Sequence, residues 1–321
     1  MLFDPHKREN LPPLLKAGIA QVMQYRLLDE LFSAGAWTAK DIVFQGGTSI
    51  HVIWNSPRVS EDLDFMVSET KTGEIGRVVE KAARGIKAAM MRSLPGSDVH
   101  VKFPQAGRGS LRDVMNYDVV WSHPKKMGGV RVKVEFFVVE PQHLLNYGRE
   151  VHEHMPDAIL IKARPELDGF QASDLTVRSL MPVALPESIY GDKLVALAKR
   201  RYLKCRDFYD LWWLHSQLGV RPGGAAIYDV ARRSADCYAY SDGDLADSLH
   251  DFQTHPAEVA RDIEQNLAAF LPASVYEALA APARGQDGNT FDVMYRHAMA
   301  ETGRLLDAIG ACTHAAPELC R

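Results

Sequence analysis

Two aspartates separated by one leucine, Asp62 and Asp64 in R-V-S-E-D-L-D-F, have the residue types and spacing that most invite chemistry in this sequence. On a strand, alternate side chains share a face, so these carboxylates would point together while Leu63 and Phe65 enter a core. Like charges held side by side repel, and a cation between them offsets that cost. Magnesium suits the place because it takes carboxylate oxygens together with substrate phosphates. Manganese would use the same oxygens. Upstream, Gly46-Gly47-Thr48 offers the complement. Its glycines let backbone N–H groups approach an anion, a helix start behind it adds a favourable dipole, and Thr48 brings a hydroxyl. A glycine turn alone also reads as a loop, and a lone carboxylate pair as a solvated strand face. Their ordered pairing, with Arg58 and Ser60 between them, is far more specific: it is a layout for a nucleoside triphosphate and its metal.

A two-metal site needs a third carboxylate on a neighbouring strand. In G-V-R-V-K-V-E-F-F-V-V, alternation sends Val132 and Val134 to one side and Arg131, Lys133 and Glu135 to the other. Glu135 is the best candidate, with Glu140 and Asp118 weaker alternatives and an exposed strand carboxylate the plain reading. Further on, G-D-K-L-V-A-L-A-K-R-R-Y-L-K-C-R-D-F-Y-D-L places Lys193, Ala196, Leu197 and Arg200 on one helical face. Asp207 and Asp210 fall one turn apart, and an ion-paired helix surface would explain them without any site.

The stretch F-Q-G-G-T-S followed by R-V-S-E-D-L-D-F resembles the first motif of the AbiEii-type toxin nucleotidyltransferases, which include the MenT group. These belong to the DNA polymerase β-like superfamily, whose signature is G-[GS]-[ST] followed by D-x-D. The later stretch resembles the family's K-L-x-A-L and K-x-R-D-x-x-D-L motifs. Gln45 stands where relatives often carry Lys. The resemblance runs over roughly residues 20 to 218. It implies a magnesium-dependent (or manganese-dependent) transfer of a nucleotide from an NTP to tRNA, and a toxin restrained by a cognate antitoxin. On the matching positions it implies catalytic roles for Asp62, Asp64, Glu135, Lys193 and Asp207, with Asp62, Asp64 and Glu135 as metal ligands. Gly46, Gly47, Thr48, Arg58, Ser60 and Lys193 would bind the nucleotide, while Arg206 and Asp210 would position and brace two helices. A protein or small-molecule hydroxyl as acceptor, and an inactive nucleotide-binding module, are the competing readings.

The elements that must position these groups follow from periodicity. Residues 11 to 33 read as a helix, Asp41 to Phe44 as a strand, Thr48 to Trp54 as a short helix and Leu63 to Val67 as a second strand. Glu74 to Leu94 reads as a helix closed by Pro95 and Gly96, and two strands, Asp113 to Trp121 and Val130 to Val139, flank the turn-rich S-H-P-K-K-M-G-G. From Pro186 onward the pattern is helical. The fold class is therefore α+β: a small mixed-sheet nucleotidyltransferase-like domain over 1–165 and a mostly helical domain over 166–321.

Composition narrows the setting. The chain has 321 residues, 46% of them hydrophobic, and a net charge of −4. An RNA partner would thus need a local basic patch, and Lys199, Arg200, Arg201, Lys204 and Arg206 form the densest one. Trp212 and Trp213 beside it read as core more readily than as a stacking platform. Cys205, Cys237, Cys312 and Cys320 show no C-x-x-C pair, which argues against a disulfide framework or structural zinc. No apolar run approaches a membrane span and MLFDPHKREN lacks a secretory pattern, so the expectation is a cytoplasmic protein with no membrane partner.

Overall fold

The structure is a computed structural model that describes residues 8–34, 37–103, 114–155, 165–167, 169–200, 204–223, 225–253, 263, 265–282 and 289–314. Its strands are β1 (Glu9–Asn10), β2 (Ile42–Gln45), β3 (Asp62–Ser68), β4 (Asp98–Lys102), β5 (Val114–Ser122), β6 (Lys126–Met127), β7 (Val130–Val139), β8 (Arg149–His154) and β9 (Val177–Ala184). The helices are α1 (Pro13–Ala34), α2 (Gly46–Val52), α3 (Thr72–Ser93), α4 (Pro141–Asn146), α5 (Pro186–Lys199), α6 (Cys205–Leu218), α7 (Ala225–Cys237), α8 (Asp242–Gln253), α9 (Ala273–Ala280) and α10 (Thr290–His314). The expected α+β class holds. Asp113 and Arg201 lie outside the described residues.

A seven-stranded mixed sheet, in the order β4-β5-β7-β3-β2-β9-β8, forms the heart of the first unit. The chain divides into two compact units. The first comprises the residues up to Ser49, Glu61–Leu144 and Glu150–Val183; the second takes Ile50–Ser60, Leu145–Arg149 and everything from Ala184 onward. β3 runs parallel to β7 and antiparallel to β2, while β5 pairs antiparallel with β7. Alternation decides the faces as expected. Leu63 and Phe65 are fully buried, and so are Val132, Val134 and Phe136, whereas Asp62, Asp64, Lys133 and Glu135 are half-buried on the other side.

Helices α1 and α3 pack together in this unit. α3 has an unbroken stripe of buried residues, Ile75, Val78, Val79, Ala82, Ile86 and Met90, at helical spacing. The sheet answers with aromatic rings: Phe65 stacks on Phe136 at 5.1 Å between centroids and tilts against Phe44 at 5.3 Å. Each ring withdrawn from water stabilises by about 1.5–3 kcal/mol, so β2, β3 and β7 are fixed from beneath by the residues between the polar ones.

The second unit is helical. α5 opens with Pro186 at its first turn and packs on α6, α7 and α8. α6 ends at Gly219, whose φ of 73° is the left-handed stop that glycine adopts without strain. Among the described residues, no helix is long and apolar enough to cross a membrane.

Candidate functional site

The strand register brings the first group of expected site residues onto one face. Asp62 lies beside Lys133 and Asp64 beside Glu135 across the parallel β3–β7 pair. On the far side of β7, Asp118 lies beside Lys133 and Asn116 beside Glu135. Asp64 also faces Gln45 across β2. The result is a polar patch on neighbouring strands, with apolar residues beneath it.

The glycine turn is tied directly to this patch. Helix α2 starts at Gly46 itself rather than after the turn, so Gly-Gly-Thr is the helix's first turn. Gly46 has φ 76°, and a Cβ there would come within 2.9 Å of the Asp64 Cβ and Cγ. Only a bare backbone fits against that carboxylate. Thr48 is fully buried and its hydroxyl donates to the Asp62 carbonyl, which fixes the first residue of β3 to α2. Ser49 donates to the Gly46 carbonyl at 2.8 Å. Gly47 is buried in α2, and Ser60 precedes β3 at intermediate exposure.

The positive group that the sequence demanded is present as a side chain. Lys133 Nζ donates to Glu135 Oε1. Burial alone would lower the Lys133 pKa, but its hydrogen bond to Glu135 and the charges of Glu135, Asp62 and Asp64 hold it above the ordinary lysine value. Sequence reasoning put Lys133 on the right face and gave it no role; its place two residues before Glu135 was the available signal. Asn116 was missed altogether, and its Oδ1 is buried with no hydrogen-bond partner among the described residues. Of the weaker alternatives, Asp118 pairs with Arg131 at 3.6 Å and Glu140 accepts from Gln142 at 2.7 Å.

This donor set was tested for fit to a divalent ion. Among the described residues, no group of three or more His, Cys, Asp and Glu side chains is drawn together tightly enough to hold an ion alone. Magnesium does not require such a cage, because it keeps waters and shares one or two carboxylates with substrate phosphates. Carboxylates that share an ammonium, beside a buried amide oxygen lacking a partner, are hard oxygen donors suited to that ion.

The second group lies in the helical unit and is built in the opposite way. Arg58 grips Asp210 with two parallel bonds, Nε to Oδ1 at 2.7 Å and Nη2 to Oδ2 at 2.9 Å, while Nη1 donates to the Val59 carbonyl at 3.1 Å. Lys193 Nζ sits 2.8 Å from both Asp207 Oδ1 and Asp210 Oδ2. Arg200 closes on the other Asp207 oxygen. Arg58 is 2% exposed, Asp207 1% and Asp210 0%, so these charges do not lie on a helix surface.

Burial works against every ion here, yet the pairing wins. It would lower the Lys193 pKa, but Asp207 and Asp210 hold it above normal against the opposing charges of Arg58 and Arg200. For Asp207, burial pushes up while Lys193 and Arg200 pull further down, leaving it below the usual carboxylate range. Arg58, expected at the nucleotide, has its fork committed to Asp210. Asp210, on α6, pairs with Lys193 on α5 as well as with Arg58.

The basic run expected to meet RNA is largely engaged. Arg200 holds Asp207, Lys199 reaches Ser248 Oγ at 3.3 Å and lies over the Tyr240 ring, and Arg206 stacks 4.4 Å over the Phe270 ring. Burial and Arg200 lower the Lys204 pKa. Trp213 is core, as expected.

The family model for the nucleotidyl transferase AbiEii toxin of type IV toxin–antitoxin systems matches residues 26–296. It extends well past residue 218, where the resemblance read from motifs stopped, so most of the C-terminal helices belong to the family pattern. Among solved structures, JHP933 from Helicobacter pylori is 17% identical, with 97% of this chain and 100% of that one covered at a TM-score of 0.41. The MenT4 nucleotidyltransferase toxin from Mycobacterium tuberculosis is 20% identical, with 94% and 86% covered at a TM-score of 0.42. No curated protein matches.

Proposed function

The chain belongs to the AbiEii nucleotidyl transferase toxin family, and from that premise we propose that it transfers a nucleoside monophosphate from an NTP to an acceptor hydroxyl, with tRNA as the acceptor. The acceptor oxygen attacks the α-phosphorus, the bond to the pyrophosphate oxygen breaks, and the hydroxyl proton passes to a carboxylate oxygen at the patch. Magnesium, or manganese in its place, would supply charge neutralisation of the triphosphate and a more acidic attacking hydroxyl. Asp62, Asp64 and Glu135 would hold it, with Glu135 next to the attacking oxygen.

The remaining roles follow from what each group has left to offer. Gly46 and Gly47 would offer backbone N–H groups to phosphate oxygens, Thr48 lies in the same turn, and Ser60 is assigned to the nucleotide by its place in the motif. The family motif assigns Lys193 to the triphosphate, and its ammonium has three N–H donors against two carboxylate neighbours. Asp207 would orient that ammonium, and Arg58 is assigned to the nucleotide by its place in the motif, its guanidinium pairing with Asp210. The expected biological setting is a cytoplasmic toxin held in check by a cognate antitoxin.

One observation carries this reading: Asp62, Asp64 and Glu135 share one face beside a glycine whose bare backbone touches Asp64. The test is to incubate the protein with magnesium, each labelled NTP in turn and total RNA. Label should appear in tRNA with wild type and vanish with Asp62→Ala, whose circular dichroism should be unchanged. Full transfer by that variant would sink the metal assignment, and NTP binding with no pyrophosphate release would favour an inactive binding module.

A protein or small-molecule hydroxyl stays as the second reading because the basic run around α5 and α6 is spent on internal contacts. Ionic strength separates the two. Binding of an RNA acceptor falls steeply with salt, whereas binding of a small alcohol does not.

A further inference from the structure

The metal reading leaves Glu135 with a conflict. The carboxylate that should complete the ion's shell is already bonded to Lys133, and the register sets that lysine beside Asp62 on β3 and Asp118 on β5. Asp118 is turned to Arg131 at 3.6 Å, so the acidic groups facing the Lys133 ammonium from the metal side are Asp62, Asp64 and Glu135. A divalent ion at Glu135 Oε1 would sit against the Lys133 ammonium, and the two cations repel. Lys133 has somewhere to go: its side chain is 37% exposed and sits on a flexible four-carbon stem.

We propose that Lys133 is a tethered counter-ion, which holds the Asp62–Asp64–Glu135 carboxylates together in the metal-free protein and releases Glu135 when a divalent ion enters. This rests on the assignment of those carboxylates to a metal in the preceding section. No bond is made or broken covalently; one cation replaces another at Glu135 Oε1. A doubly charged ion wins the exchange by its larger attraction to the same oxygens, and the lysine weakens its apparent affinity by whatever the lysine contact was worth. The device explains how carboxylates on adjacent strands avoid mutual repulsion before substrate and metal arrive. It also moves half-occupancy of the site to a higher metal concentration than a bare carboxylate set would need.

The experiment is calorimetric titration with manganese of wild type, Lys133→Gln and Asp62→Asn, with melting curves recorded with and without the metal. Wild type should bind and Asp62→Asn should not. Lys133→Gln should bind about three- to tenfold more tightly, as expected for removing a partly exposed competing charge. Without metal it should melt below wild type, and saturating manganese should close that gap. Equal or weaker manganese binding by a folded Lys133→Gln overturns the proposal while leaving the metal site intact. So does a melting deficit that manganese does not reduce. If wild type takes up no manganese, the metal reading itself fails and this proposal falls with it.

A second measurement needs no variant. Labelling of wild type with an amine-reactive reagent, read by mass spectrometry, should show Lys133 modified several-fold faster once manganese is added. Unchanged or slower labelling overturns the proposal.

Discussion

The strand patch and the helical ion cluster use the same residue types to opposite ends. Asp62, Asp64, Glu135 and Lys133 are half-buried at the sheet surface, with one cation among three carboxylates. Arg58, Lys193, Asp207 and Asp210 are buried, and Arg200 adds a third cation against two carboxylates. The first set carries excess negative charge with access to solvent, which is what a cation-binding surface needs. The second is buried and nearly fully charge-paired, which holds helices in register. The difference teaches that burial, and not motif spacing, separates an open charged surface from a closed, internally paired cluster.

That contrast can be broken by mutation, beginning with the buried side. Asp210→Ala strands Arg58 and Lys193 without their shared carboxylate and should destabilise by about 3–5 kcal/mol, read by urea denaturation. A loss under about 1 kcal/mol would mean that the cluster is not architectural. Within the same unit, Asp192 tests burial without an ion pair. Burial lifts its carboxyl to about 6, although Tyr147 donates a hydrogen bond to it and Lys193 is near. The folded state then binds more protons than the unfolded one between about pH 4 and pH 6, so stability falls as pH rises through that window. Asp192→Asn should remove that slope and raise stability at pH 7 by about 2 kcal/mol, and an unchanged profile would count against it.

The patch should respond more gently in stability and more sharply in activity. Gly46→Ala forces a methyl group onto Asp64 and a side chain into positive φ, at about 1–3 kcal/mol. Melting should reveal that loss, and transfer should drop with it because Asp64 must shift. The smallest stability change belongs to Asp62→Asn, within about 0.5 kcal/mol of wild type, while transfer disappears. A large destabilisation there would erase the distinction between the two regions.

The sequence made some of this legible and hid the rest for definable reasons. Period-two alternation is local, so the shared face of Asp62 and Asp64, the burial of Leu63 and Phe65, and the orientation of Glu135 were all readable. The partner of Arg58 was not, because Asp210 lies 152 positions away and no local pattern links them. Arg58 therefore read as a nucleotide contact on motif position alone. β4, β8 and β9 also escaped. β9 contains Pro182, which argues against a strand, and it meets β2 at a single registered pair, Phe44 with Val183. β4 and β8 are short strands at the sheet edges: D-V-H-V-K alternates over only five residues, and R-E-V-H-E-H carries a single apolar residue, too little pattern to mark either.

The parallel pairing of β3 with β7 also sets a timetable. Asp64 and Glu135 are adjacent in space yet separated by the whole of α3, β4 and β5 along the chain. Parallel neighbours cannot be joined by a tight turn, so this contact closes a long loop and forms late relative to local helices. At about 5–20 residues per second during synthesis, β3 waits several seconds for β7 to emerge. A growing chain therefore carries its first two carboxylates several seconds before the third can lie beside them.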